Sequence, residues 1–257
     1  MPAILKPTPC QARCGRLAVL RRSILVLFLM VAATMGACER DAASSPNPTQ
    51  PPPPPAVTAT PEPPDLTVFR SFIYPIGGAC LPQSDLLMPN APRPYRNGVH
   101  EGIDLYPADN CTGIQKGTPV LAAKDGTVIR TDIDYHDLTQ QELADANGRI
   151  AAGGADDPEV LNLFRGRQVW IDHGAGIVTR YAHLEGVAAD IREGTRVAQG
   201  TVVGYAGDSG TPESLSAPDT EIHLHWELRT GDTFLGAGLP PDEVRALYLQ
   251  LFEPAAP

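Results

Sequence analysis

Six histidines are spread through the chain, and four of them sit in short polar signatures that could do chemistry: His100, His183, His223 and His225. The segment EIHLHWEL (221–228) is the clearest. Side chains alternate across a β-strand. Ile222, Leu224, Trp226 and Leu228 therefore form one apolar face, and Glu221, His223, His225 and Glu227 form the other. Two imidazoles side by side on a strand can serve one metal ion, or one can hold the metal while the other acts on the reactant beside it. Such pairs also occur on ordinary surfaces, so this one gains weight from what accompanies it. VHEGIDLYP (99–107) supplies His100 and Asp104, with Gly102 between them. Two histidines and a carboxylate make a three-ligand set suited to zinc. YAHL puts His183 on the same strand face as Ile177, Thr179 and Tyr181, which reads as a position lining a site.

These residues need strands to position them. Runs rich in Val, Ile and Thr, punctuated by Gly, supply candidates. VLAAKDGTVIRTDID (120–134) reads as a hairpin turning at Lys124-Asp125-Gly126. QVWIDHG (168–174) with GIVTRYAHL (176–184) reads as a second, and TRVAQGTVVGYAG (195–207) as a third. GTPV (117–120) and GTRV (194–197) hint at a repeated hairpin edge. Residues 135–167 break the pattern and read as a helical insertion. Thr139 and Glu142 have capping-box spacing, which predicts a helix to about Ala146. Asp157 followed by Pro158, with Gly166 beyond, brackets a second helix. A final helix is expected from about Asp242, with Val244, Leu247, Tyr248 and Leu251 on one face. The expected fold is mainly β: an antiparallel hairpin domain with a short helical insertion and a C-terminal helix.

Composition fixes the setting. The 257 residues carry 20 Lys+Arg and 30 Asp+Glu, a formal charge of −10. Lys6, Arg13, Arg16, Arg21 and Arg22 lie in the first 37 residues, which contain no acid. The chain beyond is strongly acidic, which argues against a nucleic-acid partner held by a basic face. ILVLFLMVAATMGA (24–37) follows Arg21 and Arg22 as an apolar run too short for a spanning helix, so residues 1–37 read as a secretory signal peptide. The run ends in Met35-Gly36-Ala37-Cys38, which resembles a bacterial lipobox and makes Cys38 the candidate lipidation site. Ten of the 27 prolines lie between Pro46 and Pro64, so residues 38–66 read as a lipidated, semi-rigid stalk. Residues 67–257 are the expected folded domain, with the insertion at 135–167. An exported domain that keeps Cys80 and Cys111 is expected to pair them in a disulfide.

Taken in order, HEGID, IDHG, TRYAHL, the Gly-Val hairpins and His-Leu-His followed by an aromatic closely resemble the lysostaphin-type zinc metallopeptidases, the murein endopeptidases of bacteria. The resemblance spans about residues 86–240. It implies His100, Asp104 and His225 as zinc ligands and His183 and His223 as the catalytic pair, either of which could be the general base. It also implies peptidoglycan peptides as substrate. The setting would be an exported lipoprotein held at the membrane by its N-terminal lipid, with cell-wall or divisome proteins as further partners. His173 matches a family position but reads as structural, and His136 in the insertion reads as exposed.

Some features depart from the family pattern. Glu221-Ile222 stands where a Gly-Pro pair often precedes His-Leu-His, and residues 135–167 and 208–220 are long. Both long stretches are expected to rim the cleft. Two other functions compete. One is a non-enzymatic lipoprotein that binds peptidoglycan or activates a separate amidase; the intact ligand set argues against it. The other is a lipoyl- or biotinyl-like carrier, for which Lys124 would be the modified residue; that leaves four aligned histidines without a role.

Overall fold

The alternation in EIHLHWEL becomes a real strand. The computed structural model describes residues 66–253, and its strand β11 runs Leu224–Thr230 in a seven-stranded antiparallel sheet. In chain order the strands before it are β1 (Pro92–Arg93), β2 (Gly98–Val99), β3 (Ile103–Leu105), β4 (Pro119–Leu121), β5 (Gly126–Thr131), β6 (Val169–Asp172), β7 (Ile177–Ala182), β8 (Leu184–Val187), β9 (Arg196–Val197) and β10 (Val202–Ala206). β12 (Thr233–Phe234) follows. The helices are α1 (Gln140–Ala151), α2 (Pro158–Arg165), the short α3 (Glu213–Ser216) and α4 (Pro241–Leu251). The large sheet has the order β12-β11-β7-β6-β5-β9, with β3 also paired to β11. A three-stranded sheet, β4-β10-β8, lies beside it, and β1 with β2 forms a small ribbon. The fold is mainly β and antiparallel, with a helical insertion and a C-terminal helix.

One face of the large sheet makes the core. Trp226, Leu228, Tyr181, Ile171 and Ile103 are fully buried, and α4 closes over them with Val244, Tyr248 and Leu251. Trp226 meets Tyr248 edge to face at 6.5 Å. Burying aromatics of this size adds several kcal/mol to what the surrounding aliphatic side chains contribute, at about 25 cal/mol per Å² removed from water. The Cys80–Cys111 disulfide forms as expected and ties the ends of the segment that carries β1 to β3. Closing a loop of that length contributes about 3–4 kcal/mol by the chain-entropy model.

Several local expectations hold. β6 pairs with β7 as an antiparallel hairpin. Asp157 caps α2 through the Glu159 amide, and Thr139 with Glu142 forms a complete capping box on α1. α1 continues to Ala151, five residues past the expected end, because Ile150 joins Ala146, Val160 and Phe164 in a small cluster of its own.

Two expected hairpins do not form. β4 pairs with β10, whereas β5 pairs with β6 and β9. The stretches 120–134 and 195–207 therefore do not fold back on themselves. Each crosses from one sheet to the other, and they pair with each other along the way. Lys124-Asp125-Gly126 is the crossing rather than a hairpin tip. The Lys124 ammonium donates to the Val68 and Arg70 carbonyls at 3.2 and 3.1 Å, so it does not project as a carrier lysine would. Cys38 and the leader and stalk segments lie outside the described residues. Among those described, no helix is long and apolar enough to cross a membrane.

Candidate metal centre and catalytic pair

Strand register brings the first three residues together. β3 runs antiparallel to β11 with Asp104 directly opposite His225. Residues facing each other across a strand pair point their side chains to the same side. Gly102 makes this close approach possible, since a Cβ there would lie 2.3 Å from the Trp226 carbonyl oxygen. His100, shortly before β3, completes a triangle. His100 Nε2 lies 2.9 Å from His225 Nδ1 and 2.9 Å from Asp104 Oδ1, and His225 Nδ1 lies 2.7 Å from Asp104 Oδ1. All three residues are buried.

The tautomers follow from what the other ring nitrogens touch. A carbonyl can only accept, so His100 Nδ1 donates to Met88 O at 3.1 Å and leaves Nε2 as a lone pair. His225 Nε2 donates to Glu227 Oε1 at 3.0 Å, which turns Nδ1 toward Asp104. Three electron-rich atoms thus face one another in a buried space, and a positive charge must sit among them. A proton on His225 Nδ1 is one solution. Burial lowers the His225 pKa, but the hydrogen bonds it donates to the Asp104 and Glu227 carboxylates outweigh that and leave the pKa raised. A metal ion is the other solution. Tetrahedral zinc with bonds of about 2.0–2.1 Å separates its donors by about 3.3 Å, so the triangle needs to open by only a few tenths of an ångström. Nitrogen, nitrogen and oxygen donors suit zinc, and the residues present fit it. Burial holds the His100 pKa at about 4, against the opposing pull of Asp104. Burial would raise the Asp104 carboxyl, but His100 and His225 hold it well below the usual carboxylate range. Arg93 takes its other oxygen at 2.9 Å, so Oδ1 alone faces the triangle.

His183 and His223 stand across from these donors. Their ring centroids are 4.4 Å apart, and His183 lies 5.9 Å from His225. His223 Nδ1 donates to Glu221 O at 2.7 Å, and the ring stacks on Tyr106 at 4.3 Å. Its Nε2 comes within 3.8 Å of Asp104 Oδ1. His183 Nδ1 donates to Ser209 O at 2.8 Å. In both rings Nε2 keeps the free lone pair. Burial pushes the pKa of each down, that of His183 far down with His223 and His225 adding to the effect. Both are neutral near pH 7 and able to accept a proton.

His183 corrects the alternation argument. Ile177, Thr179 and Tyr181 point into the core, and His183 does not share their face. Its backbone is left-handed, with φ 57°, which breaks the strand between β7 and β8 and swings the ring into the site. The His183 amide donates to the Arg165 carbonyl at 2.9 Å and holds that turn. Gly166 follows Arg165 with φ 63°, pressed so closely on Ser209 that a Cβ would lie 2.2 Å from its carbonyl oxygen.

The remaining histidines fall outside the site. His173 uses both nitrogens, on Asp125 O at 2.7 Å and Thr179 Oγ1 at 2.8 Å, as a structural residue does. His136 is exposed. The site opens into a cleft of about 670 Å³. Leu143, Leu161 and Phe164 of the insertion line one side of it, and Gly210 to Glu213 line another, so both long stretches border it as expected. Sequence reasoning placed Glu227 on the site face without giving it a role, and it missed Arg165 altogether. The signal available was slight: Arg165 is the last residue of a capped helix, directly before a glycine.

The profile of peptidase family M23 matches residues 98–236, a span that contains all five site residues. The chain belongs to peptidase family M23. M23 peptidases are typically zinc-dependent and act on the cell wall, which puts their work in an extracellular or periplasmic setting. No curated protein matches the sequence. Among solved structures, the chain is similar to a zinc-containing peptidase from Vibrio cholerae, at 24% identity and TM-score 0.42, covering 66% of this chain and 41% of that one. It is also similar to the catalytic domain, in a mutant form, of the prophage-encoded M23 protein EnpA from Enterococcus faecalis. That match has 22% identity and TM-score 0.40 and covers 66% of this chain and 95% of that one. A third is the catalytic domain of lysostaphin from Staphylococcus simulans, at 18% identity and TM-score 0.36, covering 60% and 85%. The chain spans about two fifths of the length of the first of these.

Proposed function

We propose that this M23 protein is a zinc-dependent endopeptidase that hydrolyses peptide bonds in peptidoglycan, with His100, Asp104 and His225 holding the metal. The observation that carries the reading is the convergence of three donor atoms, each oriented by a second protein contact, opposite two neutral imidazoles. Zinc bound there would supply Lewis acidity toward the scissile carbonyl and lower the pKa of water. The chain's own residues would do the rest. His183 and His223 present Nε2 lone pairs from one side of the cleft, and either can take a proton from water. Once protonated, the same imidazole can donate to a developing oxyanion. The carbonyls of Ser209 and Glu221 keep both rings in the tautomer this requires. Leu86 and Tyr95 at the rim, with Phe164 beside Tyr95, offer apolar surface to a peptide backbone passing over the site. The proposal extends to an exported domain at 67–257, tethered by the Pro-rich segment 38–66 to a lipid on Cys38. Its support there is the sequence pattern.

The test has two parts. Wild-type protein should carry about one zinc per chain and release cleaved stem or bridge peptides, read by mass spectrometry of digested sacculi. His225→Ala should lose both the metal and the cleavage. His223→Ala should keep the metal and lose about 10²–10⁴-fold in rate, the usual worth of a positioned general base. A His225→Ala protein that keeps zinc and activity would overturn the reading. Cleavage that releases only sugars would overturn the substrate assignment.

A further inference from the structure

The helical insertion is tied to the metal triangle by one side chain. Arg165 closes α2, and its guanidinium is largely buried, with 11% of the side chain exposed. Arg165 Nε donates to Glu227 Oε1 at 2.6 Å, and Nη2 donates to Glu101 Oε2 at 2.5 Å. Glu227 Oε1 is also the atom that accepts from His225 Nε2 at 3.0 Å. A single carboxylate oxygen therefore joins α2 to a metal-facing ring. The other oxygen, Oε2, is held by Arg229 at 3.2 Å and Arg180 at 3.4 Å. Glu227 is wholly buried, so this carboxylate has no water to turn to. With Arg165 gone, the remaining cations would draw the carboxylate toward Oε2 and away from His225. The ring would lose the contact that sets its tautomer.

Away from Arg165, α2 meets the sheet through Asn162 Oδ1, which accepts from Arg130 Nη1 at 2.5 Å and Gln168 Nε2 at 3.0 Å, contacts that do not reach the triangle. The insertion's buried apolar residues, Ala146, Ile150, Val160 and Phe164, form a cluster separate from the main core. Arg149 joins α1 to the start of α2 through Asp157 and Glu159, which holds the two helices to each other and not to the sheet.

We infer that Arg165 is a positioning residue that couples folding of the α1–α2 insertion to metal occupancy, an inference that rests on the zinc reading above. An ordered α2 holds Glu227 where it orients His225. A metal in the triangle fixes His225 and so orders α2 in return. Coupling of this kind is reciprocal: whatever factor the insertion adds to metal affinity, the metal adds to the order of the insertion. Outer-sphere partners of metal-bound histidines are worth about 10–100-fold in affinity, which sets the scale.

The experiment uses the full chain and zinc itself as the probe. Zinc affinity is measured by competition with a chelating dye in wild type, Arg165→Met and Arg165→Lys, beside hydrogen exchange with and without zinc. Arg165→Met should bind zinc about tenfold more weakly. Arg165→Lys should recover part of that loss, since it keeps the charge but not the fork. In wild type, zinc should slow exchange across 158–166 more than across β6. In Arg165→Met that extra protection should vanish. Equal zinc affinity in wild type and Arg165→Met would overturn the coupling. So would wild-type exchange at 158–166 that zinc does not change, a measurement that needs no variant to fold. Wild type that binds no zinc at all fails the metal reading itself, and the coupling falls with it.

Discussion

The β scaffold and the helical insertion hold themselves together by different physics. The scaffold buries Trp226, Tyr181, Tyr248 and a dozen or more aliphatic side chains in one continuous core. The insertion has a cluster of four buried residues, with Leu143 and Leu163 packed at their edge, and relies on ion pairs for the rest. The site draws on both. Strand register sets Asp104 opposite His225, and register is fixed by the core. The left-handed turn at His183 is held instead by the end of the insertion, through the Arg165 carbonyl and the Gly166–Ser209 contact. The rigid region thus sets which of the three buried donors face one another, while the softer one holds the turn at His183 and, through Arg165 and Glu227, steadies the His225 ring. Regions with few buried contacts open at lower free energy than the core does.

The sharpest way to break this contrast is to cut one large side chain from each region. Trp226→Ala should cost about 3–5 kcal/mol and lower the melting temperature of the whole domain. Phe164→Ala should speed hydrogen exchange across 140–165 while the strands keep their protection. A single, shared transition in both variants would show that the two regions are one cooperative unit.

Acid should act next most strongly, and on the site rather than the apolar core. His100, His183 and His223 have lowered pKa values in the folded state. Below about pH 6.5 the unfolded chain therefore binds more protons than the folded one, and stability falls as pH falls. His225 opposes this, because its raised pKa lets the folded state take the proton first. His100 alone, held at about 4, accounts for roughly 2 kcal/mol between pH 7 and pH 5. Urea unfolding of the metal-free protein at the two pH values measures it. Unchanged stability would mean that these rings are not buried as neutral groups.

The smallest effect tests the join between the regions. Gly166→Ala adds a Cβ at a left-handed residue with no room beside Ser209, which should cost about 1–3 kcal/mol locally. The expected outcome is a fall in kcat through His183, with zinc bound more weakly only as far as Arg165 shifts with its neighbour. An unchanged kcat would show that the turn at His183 does not depend on this contact.

Much of this was legible in the sequence where local chemistry decides the outcome. β11 follows from the alternation of EIHLHWEL, and α2 follows from Asp157, Pro158 and Gly166. The grouping of His100, Asp104 and His225 was legible because four spaced motifs agree. What failed needed information from afar. An Asp-Gly turn says that the chain bends, not whether the next strand returns to the same sheet, so β4 and β5 read as a hairpin and are not one. Alternation assigned His183 to the wrong face because one left-handed residue cancels the rule. The Arg165–Glu227 contact joins residues 62 positions apart and leaves no local trace.

The tethers on the histidine rings have a consequence for how this centre tolerates change. His100, His183 and His223 are each turned by a main-chain carbonyl, those of Met88, Ser209 and Glu221. Exchanging any of those three side chains leaves its carbonyl in place, so three of the four orientations are protected from point mutation at the tethering residue. His225 is turned by a side chain, Glu227. One codon at that position can therefore reorient His225 without changing any residue of the His100–Asp104–His225 triangle, and random mutagenesis screened for altered metal preference should return to it repeatedly.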